Sequence, residues 1–264
     1  MGEKIIDNSS EYMLQLSQTW QKILKLFPAE QGNRLQIDGI IDDKKWNSPQ
    51  NKYRVLFFLK ESYRRSDGTK NLYLYSLINI LKLKGETAGG TFLVANKWMH
   101  AITDALSENE KFDISYAALM NVSKKGFIDR TQTAAKTLKD AIADGNYKTL
   151  LKQQLQEISP KIIVCGNTLP YLLEILQTEE SHKDFHKYRI AYSELGNRKE
   201  ERKIGRSPSF QGKTSLELFL YKNYIIFSAY HPSARPSLGY YTAAEDFFNI
   251  IQATRSDLIN VLSD

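Results

Sequence analysis

The sequence predicts an α/β protein, a three-layer α/β/α sandwich around a central four-stranded parallel sheet. Two observations carry that expectation. Four apolar runs, at residues 55–59, 116–122, 161–165 and 224–229, are too short for most helices and read as buried strands. Segments with helical spacing stand between them, and strands alternating with helices argue for parallel pairing with both faces covered.

Taken in order, residues 9–27 carry Met13, Leu14, Leu16, Trp20, Ile23, Leu24 and Phe27 at helical spacing and stop before Pro28. Val55–Leu59 is the first central strand. A helix is expected over 71–83, a loop over 85–90 and a second helix over 96–106, followed by the strand at 116–122. Residues 134–143 and 147–158 read as two helices divided by Asp144-Gly145-Asn146, and Ser159-Pro160 ends the second. Residues 161–165 form the third strand, turning at Gly166-Asn167 before a helix over 169–176. Residues 224–229 are the fourth strand, and a helix over 243–262 closes the fold. The chain reads as a single domain over 1–264, with a helical extension at about 1–50 and a basic insertion at about 178–214.

At 264 residues and 42% apolar composition the chain can bury a full core. No apolar run approaches the roughly 20 residues needed to span a bilayer, and Met1–Asp7 lacks the build of a signal peptide. A cytoplasmic, monomeric protein with no membrane contact is the expectation. One cysteine, Cys165, excludes an internal disulfide and any Cys-based metal cluster. It follows Ile162-Ile163-Val164 and reads as a small buried hydrophobe. The net charge of +6 is compatible with a phosphate-rich partner.

Three of the strands stop at a polar residue able to do chemistry: Glu61, Asn121 and His231. In open parallel sheets ligands bind at those carboxyl ends. Cleaving an N-glycosidic bond needs a stabilised sugar cation, a stabilised anionic base and a positioned water. A carboxylate serves the first and third needs, and an imidazole at a base carbonyl serves the second. A side-chain amide reads the edge of an extruded base, and an aromatic ring stacks on it.

These residues resemble the uracil-DNA glycosylase superfamily, closest to its iron–sulfur branch. Lys60-Glu61-Ser62-Tyr63-Arg64 sits where that branch has Gly-Glu-Ala-Pro-Gly. Thr91-Phe92-Leu93-Val94, expected as a loop before a helix, is similar to its Pro-Phe-Val-Gly, which supplies the stacking phenylalanine. Asn121-Val122-Ser123-Lys124 resembles Asn-Val-Val-Lys, and residues 154–166 resemble the branch's helix, proline and third strand. Tyr230-His231-Pro232-Ser233-Ala234 matches Tyr-His-Pro-Ser-Ala, the loop that enters the minor groove. The likeness runs in order over roughly residues 53–255.

The resemblance implies a monofunctional DNA glycosylase acting on a flipped uracil or other damaged or modified base, in DNA repair by base excision. Glu61 and His231 would be catalytic, with Asn121, Phe92 and Tyr63 around the base. Ser233, Arg235, Leu238 and Lys124 would meet DNA, Arg235 at a phosphate and Leu238 as a wedge in the vacated stack. The cluster cysteines of that branch are missing, with Lys125 where one follows the asparagine motif. A fold without metal or cofactor is therefore implied. Lys60 and Tyr63 stand where the branch has a glycine and a proline, and that bulk keeps open a catalytically inactive binder of DNA. A third reading is an α/β enzyme acting on free nucleotides. The basic cluster Arg198, Lys199, Arg202, Lys203 and Arg206 is a further candidate for backbone contact.

Overall fold

The computed structural model describes residues 18–26, 38–60, 90–107, 110–124, 138–139, 142–176, 186–189, 216–232 and 242–263. The expected helix over 71–83 lies outside them. Seven strands form one mixed sheet in the order β1-β3-β2-β4-β7-β6-β5. They are β1 (Gly39–Ile40), β2 (Val55–Leu59), β3 (Ala118–Asn121), β4 (Ile162–Gly166), β5 (His186–Arg189), β6 (Glu217–Tyr221) and β7 (Tyr224–Ala229). The four-stranded parallel sheet expected from the sequence is thus corrected to a seven-stranded mixed one. Parallel pairing holds for β3 with β2, β2 with β4 and β4 with β7, while β1, β6 and β5 join antiparallel at the edges.

The edge strands have local causes. Lys222-Asn223 makes a two-residue turn, Lys222 adopting φ 51°, and folds β6 back on β7 from the Tyr221–Tyr224 pair. Leu218 and Leu220 alternate inward along β6. β5 lies within the stretch read as an insertion, so four of those residues belong to the sheet. The stretch read as a helical N-terminal extension likewise contributes β1.

β2 and β4 are buried along their whole length, as central parallel strands must be. Their alternate residues feed two cores. Val55, Phe57, Leu59, Ile162, Val164, Ile225 and Phe227 meet α3 (Gly90–Leu106), α6 (Ala244–Ala253) and α7 (Arg255–Ser263). Trp98 of α3 and Phe227 of β7 both contact Phe247 of α6, with ring centroids 5.1 and 5.2 Å apart. Leu56, Phe58, Ile163, Cys165 and Ile226 meet α4 (Gly145–Ile158) and α5 (Leu169–Leu176) on the opposite face. Two short helices, α1 (Gln18–Lys25) and α2 (Asp43–Trp46), and a 3-10 turn at Ile114–Tyr116 complete the described elements.

Asp144 caps α4, its carboxylate accepting from Asn146 and Tyr147 N–H, so Gly145 and Asn146 lie inside the helix and not in a linker. The closing helix, expected as one, is two, divided at the buried Thr254. Cys165 is fully buried, and burial raises its thiol pKa. Among the described residues, no helix is long and apolar enough to cross a membrane.

Candidate functional site

The carboxyl edge of the parallel strands is knit by backbone and by one glycine. Leu59 stands in register with Asn121, and Leu59 C=O accepts from Val122 N–H at 2.8 Å. Lys60 C=O accepts from Ser123 N–H at 2.8 Å, carrying the pairing one step past the strand. On the other side of β2, Thr168 Oγ1 donates to Phe58 C=O at 2.6 Å, and Asn167, at φ 59°, donates its N–H to Ala229 C=O at 2.8 Å.

Gly166 sits at the centre of this edge. A Cβ there would lie 2.9 Å from Leu59 Cδ2, 3.2 Å from Pro232 Cδ and 3.4 Å from His231 Cα. The absence of a side chain is what lets the end of β2 and the loop after β7 close over the end of β4. His231 is half-buried and is held neutral: burial, and then the charge of Lys60, lower its pKa from the usual 6.5 to about 4. Tyr230 N–H donates to Thr242 Oγ1 at 3.0 Å, tying the chain just before the imidazole to the segment that leads into α6.

Asn121 closes the other side of the edge. It is 1% exposed, and its Nδ2 finds no hydrogen-bond partner among the described residues. A buried amide donor left unmade costs about 1–3 kcal/mol, which sets this side chain apart from its neighbours at the edge. Asn121 N–H donates to Asp38 Oδ2 at 2.6 Å. With β2 and β4 between them, Asn121 and His231 stand on strands about 14 Å apart across the ladder.

Set against protein-family models, curated proteins and solved structures, the chain finds no match.

Among the residues picked out in the sequence, the structure brings His231 and the end of β2 to one edge and places Asn121 at the same edge. Glu61, Tyr63, Ser233, Arg235, Leu238 and the basic cluster at 198–206 lie outside the described residues. Two expectations are corrected. Lys124, expected at DNA, is fully buried, its Nζ 2.8 Å from both carboxylate oxygens of Asp38. Phe92, expected in a loop, lies in the first turn of α3, where Phe92, Ala95, Met99 and Ile102 form one apolar stripe. At 9% exposure its ring belongs to the core beneath that helix.

The residues that sequence reasoning missed are those around Lys124. Asp38 Oδ1 also accepts from Gln154 Nε2 at 2.8 Å. Trp20 Nε1 donates to Asp38 C=O at 2.8 Å, and its ring lies 5.3 Å beneath the Lys124 ammonium. Tyr147 OH donates to Val122 C=O at 2.7 Å and accepts from Lys124 N–H at 3.1 Å. Desolvation lowers the Lys124 pKa and the Asp38 carboxylate opposes that shift. A separate shallow groove between α1 and α4, lined by Gln18, Thr19, Lys22, Gln153, Gln156 and Glu157, opens on the helical layer. It holds none of the strand-end residues.

Proposed function

We propose that this protein is a monofunctional DNA glycosylase built on a three-layer α/β/α frame. The observation that carries the reading is the buried amide of Asn121, without a partner among the described residues, at the same sheet edge as a histidine held neutral. An amide of that kind pairs with the edge of a flipped base. A neutral imidazole donates an N–H to a base carbonyl as negative charge develops there, without first giving up a proton. Glu61, two residues beyond β2, orients the attacking water and stabilises the sugar cation. Water gives a proton to Glu61 as it adds to the anomeric carbon; the C–N bond breaks with its electron pair on the base, and the base anion, held by the His231 N–H, takes up a proton from solvent. Arg235 and the basic cluster would hold phosphates. Base excision in repair, within the cytoplasm and as a monomer, is the setting this reading assumes.

One observation favours a second reading, a DNA binder without catalysis. Lys60 lies near enough to His231 for its charge to act on the imidazole, and it stands where the resembled branch keeps a glycine. A single-turnover panel of duplexes holding uracil, hypoxanthine or 5-hydroxymethyluracil separates the two. The glycosylase releases at least one of these bases. The binder retains each duplex intact.

A further inference from the structure

The ion pair of Lys124 and Asp38 is an unusual investment for a small edge of the sheet. Both side chains are buried completely, at 0% side-chain exposure. Burying two charges costs several kcal/mol each before their attraction is counted, and apolar residues of the same volume often serve stability as well. Stability alone therefore gives a weak reason for the pair.

Its geometry supplies another. The antiparallel ladder between β1 and β3 runs through Ile40–Ala118 and Gly39–Leu119. Beyond it, a side-chain carboxylate instead of a backbone carbonyl receives the Asn121 N–H, at 2.6 Å. That carboxylate is itself held from two sides, by Lys124 Nζ on both oxygens and by Gln154 Nε2 on Oδ1. Gln154 projects from α4, and Tyr147, also on α4, clamps Val122 and Lys124. The end of β3 is thus fixed to the helical layer by charge-assisted bonds, which are shorter and stronger than neutral ones.

From this arrangement we infer that Asp38 is a positioning residue for base recognition: by holding the Asn121 backbone it aims the Asn121 amide into the site. The inference rests on the reading of Asn121 given above. Lys124 and Gln154 set the carboxylate, and the carboxylate sets the asparagine. Displacement of a recognising group by even 1 Å is enough to blunt it, so the expected phenotype is lost discrimination with duplex affinity kept.

Two double variants isolate the effect. Asp38→Asn with Lys124→Met removes both charges and keeps an oxygen able to accept the Asn121 N–H. Asp38→Leu with Lys124→Met removes both charges and that acceptor. Neither strands a buried charge, so both are expected to fold, and thermal melts confirm it. In single turnover on uracil and cytosine duplexes, the asparagine variant keeps the wild-type preference within about threefold, while the leucine variant loses tenfold or more. Equal preference in the two variants overturns the inference, because a merely structural role would move them together. If the wild-type protein releases no base at all, the proposed function fails, and the inference is still decided by nuclear magnetic resonance. The Asn121 side-chain amide then keeps its wild-type shift in the asparagine variant and moves to the solvent-averaged position in the leucine variant. An unmoved resonance in both overturns it.

Discussion

His231 shows how one side chain ties stability, pH and chemistry together. Its folded pKa of about 4 lies below the usual 6.5. Between those values the unfolded chain binds a proton that the folded chain does not, so stability falls as pH drops through that window. Urea titrations at pH 7 and pH 4.5 are expected to show a larger loss for the wild-type protein than for His231→Gln. Lys60 is the second cause of the shift after burial, so Lys60→Met raises the His231 pKa. The acid limb of base release, read from single-turnover rates against pH, then moves to higher pH. The place of His231 just past β7 was legible in the sequence because a β-prone run ends shortly before a polar residue held by a proline. Asp38 was not, since no periodicity or motif surrounds it. A lysine placed just past a buried strand was the one hint that a buried carboxylate must exist to meet it.

At the scale of elements, the site depends on three strand ends approaching without an intervening side chain. Gly166→Ala puts a Cβ within 2.9 Å of Leu59 and 3.2 Å of the rigid ring of Pro232. The cost to stability is expected to be about 1–3 kcal/mol, read from denaturant midpoints. Base release should fall by more than that cost explains, because His231 Cα is among the atoms displaced. The central strands β2 and β7, and the helix α5, were readable from the apolar pattern, since all three match their expected bounds. The edge strands were not. β6 alternates over only five residues beside a charged stretch, and β1 is two residues long. Such strands owe their existence to a neighbour's open edge more than to their own pattern. Phe92 was misplaced for a related reason, Gly89-Gly90 reading as loop although Gly90 already opens the helix.

For the whole molecule, the net charge of +6 bears on partners more than on fold. If the protein holds DNA by several phosphates, log affinity falls linearly with log salt, at a slope of about 0.9 per phosphate. Fluorescence anisotropy on a duplex from low to physiological salt is expected to show a slope above 2. A flat response would instead favour a small-molecule substrate. The layered architecture was legible because buried parallel strands and amphipathic helices alternate along the chain. Its mixed sheet was hidden in the segments with the least periodic sequence.

The central claim is that Glu61, Asn121 and His231 act on one extruded base. It is tested most directly by single-turnover base release on one duplex, measured for the wild-type protein and for Glu61→Gln, Asn121→Ala and His231→Ala. Release by the wild-type protein and a loss of about a hundredfold or more in each variant, with duplex affinity nearly unchanged, are expected. Variants that cleave at the wild-type rate, or a wild-type protein that binds every duplex and breaks no glycosidic bond, would contradict it.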